Sequence, residues 1–251
     1  YKKSGNELIV TGIFNNDKNR LDKNRKQLLI KLNNDGQIII NKWFKRSTLI
    51  SSIFYDPKIN MFILFSSMTY YLDSNLTIID SIYSFDALEH FSGIAGKYVY
   101  FDDNKYLISA RFDDDGYERG LALFDRNLKF LKGIKAELQE WDYDFPFGRQ
   151  SFDYIDTSEI FFGVQNSNLT YYSIGKVNSN LDPYWIKYFS LSDSDRHYVW
   201  SLTATQDGGC VIVGAKGQDF ENEIPKDLSA WAIKLDSDGN TVSTKDPGSN
   251  E

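Results

Sequence analysis

The sequence predicts an all-β fold, and three observations predict it. Five short apolar runs recur at residues 7–12, 61–65, 106–110, 160–164 and 210–214, their starts 54, 45, 54 and 50 residues apart. Each run is followed by a second one that ends in a turn of Asn, Asp, Ser or Gly. Aromatics make up 16% of the chain, with 18 Phe, 16 Tyr and 5 Trp, and flat rings pack well on a pleated face. A period near 50 residues is the length of a four-stranded propeller blade. The expectation is a β-propeller of about five four-stranded blades, standing either as an open ring or as a fragment of a larger one.

The elements follow in order. Repeat 1 (1–46) has a strand at 7–12, then Leu28-Leu29-Ile30-Lys31-Leu32, the turn Asn33-Asn34-Asp35-Gly36 and a strand at 37–40. It has no inner strand of its own, which would have to come from elsewhere. Repeat 2 (47–96) opens with an inner strand at 48–54 and passes from Tyr70-Tyr71-Leu72 through Asp73-Ser74-Asn75 to 76–79. Repeat 3 (97–150) has its inner strand at 98–101 and the turn Asp125-Arg126-Asn127. Repeat 4 (151–197) has an inner strand at 152–155 and the turn Asn178-Ser179-Asn180. Repeat 5 (198–244) runs from an inner strand at 198–204 through Cys210 to Trp231-Ala232-Ile233-Lys234-Leu235 and Asp236-Ser237-Asp238-Gly239. Asn and Asp-Gly tolerate the positive φ of tight turns and bond back to the local backbone. Four strands in five repeats, less one, makes nineteen. Residues 85–91 and 134–141 carry helix formers and read as a turn or two of helix between blades. Residues 245–251 read as a polar linker.

The net charge is −7, with 35 acidic against 28 basic residues. An acidic chain without clustered cations and interleaved rings argues against nucleic acid. The basic run at 18–26 reads as a solvated hairpin loop. No apolar stretch reaches the roughly 18 residues of a membrane span. The single cysteine, Cys210, lies in an apolar run and reads as a buried, inert thiol.

The fifth repeat, through Thr205-Gln206-Asp207-Gly208-Gly209, Val213-Gly214 and Trp231 to Asn240, resembles the repeated element of large secreted propeller proteins of the Bacteroidota. Many of these are cargo of the type IX secretion system. Ile30-Lys31-Leu32-Asn33-Asn34-Asp35-Gly36 shares the pattern, and the middle repeats share its rhythm. The resemblance implies a secreted or cell-surface protein and supplies no catalytic residue.

Chemistry is sparse. His90 and His197 stand far apart, which argues against a zinc site, and no metal or cofactor is expected. Asp102-Asp103-Asn104 and Asp113-Asp114-Asp115-Gly116 offer oxygen ligands suited to calcium but read better as solvated turns. Glu137, Glu140, Asp142 and Asp144 mix acids with aromatics, as sugar-cleaving sites do. Two aromatic rim loops hold the candidate binding residues: Trp141, Tyr143 and Phe145 in one, Tyr184 and Trp185 in the other. Rings at a blade rim can anchor a protein partner or stack on a sugar face, or they can fill gaps between blades. The leading expectation is a non-enzymatic extracellular interaction or adhesion propeller, engaged by outer-membrane secretion machinery during export. A glycan-binding module is the alternative, and a polysaccharide-cleaving enzyme the second.

Overall fold

A computed structural model describes residues 2–4, 7–14, 26–45, 52–65, 68–83, 93–102, 104–112, 119–136, 144–146, 152–166, 171–190, 196–217, 220–221, 224–225 and 229–242. Among them are 23 strands and no helix. All pairing is antiparallel and closes within five sheets and one small ribbon. The chain divides into two units, residues 1–89 with 98–100 and residues 90–97 with 101–251.

The first unit holds two blades. Blade 1 is β1 (Lys2–Ser4), β2 (Glu7–Phe14), β3 (Lys26–Leu32) and β4 (Ile38–Lys45), in that order across the sheet. Blade 2 is β5 (Ser52–Asp56), β6 (Met61–Phe65), β7 (Met68–Leu72) and β8 (Ile78–Tyr83). The second unit holds three, apart from three residues of β9. Blade 3 is β9 (Gly93–Asp102), β10 (Lys105–Arg111), β11 (Arg119–Asp125) and β12 (Phe130–Ala136). Blade 4 is β13 (Asp144–Pro146), β14 (Phe152–Tyr154), β15 (Ile160–Asn166), β16 (Tyr171–Val177) and β17 (Pro183–Ser190). Blade 5 is β18 (Arg196–Ala204), β19 (Cys210–Gly217), β22 (Ser229–Leu235) and β23 (Thr241–Val242). Between β19 and β22 lies a ribbon of β20 (Phe220–Glu221) and β21 (Ile224–Pro225).

Three expectations change. Blade 1 has its own inner strand, because β1 pairs with β2 through Lys2↔Ile9 and Ser4↔Glu7. The inner strand of blade 4 is in two pieces: β13 pairs with β15 up to Pro146↔Val164, and β14 from Phe152↔Phe162. Residues 134–136 belong to β12, where Ile134 pairs with Leu121, so tertiary pairing overrides their helical propensity. Residues 85–91, 137–141 and 245–251 lie outside the described residues.

All five blades use one turn between their third and fourth strands. It begins at Asn33, Asp73, Asp125, Asn178 or Asp236, and the first residue exchanges main-chain hydrogen bonds with those three and four positions on. Its side-chain Oδ1 accepts the N–H of the residues two and four positions on, at 2.8–3.0 Å in every copy. The fourth residue has φ between +57° and +77°: Gly36, Leu76, Leu128, Leu181 and Gly239. Leucine in that conformation costs about 1–2 kcal/mol. All three leucines are buried, and burying a leucine returns about 1.5–3 kcal/mol. Burial therefore wins over backbone strain.

Within each unit, lysines of one blade reach the turn of the next. Lys31 Nζ donates to the Ser74 carbonyl at 2.9 Å, and Lys176 Nζ makes the corresponding contact with Ser237 at 3.4 Å. From the outer strands, Lys42 donates to Thr77 at 2.8 Å, Lys187 to Asn240 at 2.8 Å, and Lys132 pairs with Asp182. The apolar contacts follow the same path. Ile9 and Leu29 of blade 1 cluster with Phe62, Leu64, Leu72 and Leu76 of blade 2. Phe161, Tyr172 and Ile174 of blade 4 cluster with Leu202, Cys210 and Ile212 of blade 5.

Candidate functional site

Asp182-Pro183 is a turn signal, and the two rings after it were expected on a loop. Instead the chain returns to a strand at Pro183, and Trp185 pairs with Lys176. The half-buried Trp185 indole donates its Nε1–H to the Ser237 carbonyl at 3.0 Å. Its ring lies so close over Gly239 that an added Cβ there would sit 2.9 Å from it. Trp185 is therefore a wedge between blades 4 and 5. Tyr184, its neighbour, is 57% exposed, with its hydroxyl 3.4 Å from the Ser158 carbonyl. Trp141 and Tyr143 lie outside the described residues. Phe145 falls in β13, opposite Gln165, and only its backbone is described. Of the five candidate rings, only Tyr184 and Trp185 have their side chains among those described.

Beneath Tyr184 lies a buried cation. Lys176 Nζ sits 2.9 Å from Glu159 Oε1 and donates to the Gly208 carbonyl at 3.2 Å. The ammonium also lies 5.3 Å from the Phe161 ring centroid and 5.8 Å from that of Tyr184, within cation–π range. Lysine can be buried here because a carboxylate, two carbonyls and two ring faces replace its water. Nearby, Asp156 is held below the usual carboxylate range, chiefly by the hydroxyl and then the N–H of Ser158. Such a carboxylate caps a turn and stays ionised, which does not suit a proton donor.

Most of the expected acids lie outside the described residues. Among the described residues no three His, Cys, Asp or Glu side chains converge in a way that could hold a metal. Asp144 pairs through its backbone with Asn166 in β13, while Glu137, Glu140, Asp142, Asp103 and Asp113 to Asp115 lie outside the described residues. His197 lies in β18 opposite Lys216, and His90 is outside. Burial pushes the Cys210 thiol up to about 12, as expected of an inert thiol.

The structure adds a residue that the sequence reading passed over. In β18 the ladder skips one position: Val199 pairs with Gly214 and Ser201 with Val213, so Trp200 has no opposite residue. A one-residue bulge exchanges the two faces of a strand. It turns Val199 into the core with Leu202 and Ala204 and leaves Trp200 54% exposed at the sheet edge. The Val199 N–H donates to Gln165 Oε1 of blade 4 at 3.0 Å. Gln165 is itself buried, so the bulge is pinned from the neighbouring blade. No alternation pattern in Tyr198-Val199-Trp200-Ser201-Leu202 reveals an extra residue. The result is an indole presented to solvent, able to stack on a flat apolar face or to fill a partner's pocket.

No family model matches the chain, and no curated protein matches it. Solved structures share its fold. A Synechocystis apocarotenoid oxygenase superposes with a TM-score of 0.55 at 11% identity, covering 92% of this chain and 64% of that one. A member of the DUF4221 family from Bacteroides vulgatus gives 0.52 at 10% identity, covering 94% and 84%. A lignostilbene dioxygenase from Pseudomonas brassicacearum gives 0.52 at 9% identity, covering 86% and 56%. The chain thus spans less than two thirds of either oxygenase. The fold is that of a β-propeller, all-β and built of four-stranded blades. The expectation of a non-enzymatic protein is corrected by the same finding, because two of these three structures are enzymes. Catalytic groups are grafted onto a fold rather than dictated by it, so a propeller architecture gives no ground for excluding turnover.

Proposed function

We propose that the chain is an extracellular or cell-surface interaction module of the propeller class, binding a protein partner or a surface glycan through exposed rings. The observation that carries this reading is Trp200. A large apolar side chain stands 54% exposed on a bulge that a buried glutamine of the preceding blade holds in place. Fixing the backbone that carries so large a ring in the free protein lowers the entropy cost of binding. Tyr184 is a second exposed ring in the same unit. Export as type IX secretion cargo rests on the motif of the fifth repeat, and the secretion machinery would then be a transient partner.

A glycan array and a pull-down from cell-surface extract, each run with the native chain, Trp200→Ala and Tyr184→Ala, test the binding reading. Loss of a specific signal on Trp200→Ala supports it. A flat array together with a pull-down indifferent to both substitutions removes it. Fractionation of native cells tests export separately, and a protein confined to the cytoplasm ends that part of the proposal.

A further inference from the structure

Blade 4 lies between two neighbours of its own unit, and its two faces end differently at the rim. One face carries Tyr172, Ile174 and Trp185 and closes against blade 5. By alternation the other carries Tyr171, Ser173 and Gly175 on β16, with Ile186 and Tyr188 on β17. This second face meets blade 3: Lys132 of β12 pairs with Asp182 of blade 4, and β12 packs against β16. At its outer margin Tyr171 and Tyr188 stand 44% and 49% exposed. In register Tyr188 is directly opposite Ser173, and Tyr171 lies two residues before Ser173 on the same face. Rings at such diagonal positions are within reach of each other, and so of one ligand.

Ser173 lies at the base of this pair. It is wholly buried, and its Oγ has no hydrogen-bond partner among the described residues. Its two cross-strand neighbours are Val164 and Tyr188. A hydroxyl in so apolar a seam costs free energy until something pairs with it. The chemistry around it narrows what that partner is. Tyr171, Ser173, Gly175, Ile186 and Tyr188 carry no charge, so the margin of the seam does not select an ion. A serine hydroxyl both gives and accepts hydrogen bonds, and another hydroxyl answers both needs, whereas a peptide carbonyl only accepts. The ring faces beside it favour a ligand with an apolar C–H face. A neutral sugar ring has hydroxyls and such a face together.

We infer that the outer margin of the seam between blades 3 and 4 binds an uncharged saccharide, with Tyr171 and Tyr188 against the sugar faces and Ser173 as the hydrogen-bonding floor. The inference rests on the glycan half of the function proposed above and gives it a site apart from Trp200. Ser173 is closed to solvent in the free protein, so the sugar enters as the Tyr188 ring turns aside. That ring is half-exposed on the outermost strand of its sheet, where side chains change rotamer within nanoseconds. The sugar hydroxyl then pairs with Ser173 Oγ, and the apolar face of the ring replaces water on the two tyrosines.

The test titrates the 15N-labelled full chain with cellohexaose, xylohexaose, mannohexaose and chitohexaose, and separately with a proline decapeptide, which is apolar and lacks hydroxyls. Amide shifts are followed along the whole chain. The expected result is a saturable response at residues 171–175 and 186–190 to at least one hexasaccharide. Tyr171→Ala and Tyr188→Ala should each weaken that binding by about tenfold, and Ser173→Ala by about threefold or more. Ser173→Ala should also leave the urea midpoint unchanged or raise it, since it removes a hydroxyl that pairs with nothing in the free protein. A serine with a merely structural role would lower that midpoint. A Ser173→Ala variant that binds as tightly as the native chain overturns the inference, and so does a response to the proline peptide alone. Shifts gathered around Trp200, or around Tyr184 and Ser158, overturn this site while the wider binding function stands. Silence toward all four sugars overturns it too, and the pull-down then decides the protein-binding half by itself.

Discussion

Glycine is usually worse than alanine inside ordered structure, and at Leu181 the order should reverse. Leu181 sits at φ +60° with 1% of its surface exposed. Removing so buried a leucine costs about 2–5 kcal/mol as Leu→Ala. The alanine still carries a Cβ into the left-handed region, at about 1–2 kcal/mol. Glycine escapes that strain but loses about 0.5–1 kcal/mol more chain entropy on folding. The difference leaves Leu181→Gly more stable than Leu181→Ala by roughly 0.5–1 kcal/mol. Urea unfolding followed by tryptophan fluorescence measures it directly, because Trp141, Trp185, Trp200 and Trp231 all lie in the second unit. An alanine variant as stable as the glycine variant, or more so, would refute the strain argument. Leu128, at φ +60° in the same turn of blade 3, should repeat the pattern.

Three further outcomes are expected. Gly239→Ala meets both the Trp185 ring and a positive φ, whereas Gly36→Ala meets the φ alone. Thermal unfolding should show a loss of about 2–4 kcal/mol for the first and about 1–2 kcal/mol for the second. Asp207 is held down at about 2, first by the Thr205 hydroxyl and then by Lys234 and the Gly209 N–H. A depressed carboxylate favours the folded state above its unfolded value of about 3.9, and that contribution fades as pH falls through about 2. Asp207→Asn should therefore flatten the decline of the urea midpoint between about pH 4 and pH 2. Cys210, fully buried with its thiol pushed up to about 12, should resist a thiol-specific chromophoric reagent in buffer and react at once in denaturant.

Much of the fold was legible because the turns carry their own chemistry. Asn33, Asp73, Asp125, Asn178 and Asp236 each announce a side-chain cap, and each makes one. The leucines at positive φ were not legible, since no local preference places them there; only their burial does. The inner strand β1 was missed because Lys2-Lys3-Ser4 has no apolar pattern, and only its ladder with β2 shows it to be a strand. Trp185 was read as a loop residue from Asp182-Pro183, a signal true of the turn but silent on how soon the next strand resumes. Trp200 was hidden because a bulge is a relation between two strands, and one strand's sequence does not contain it.

The separation between ladder and latch has a kinetic side. Every ladder among the described residues closes inside its own blade, over short stretches of chain that form quickly. The Lys176 contacts instead span 32 residues to Gly208 and 61 to Ser237, and they have meaning only once two finished sheets meet. Caps such as Asn178 should therefore govern how fast the chain assembles. The buried lysine should govern how long it stays assembled, as a clasp that closes after the rate-limiting step and must open before any blade leaves its neighbour.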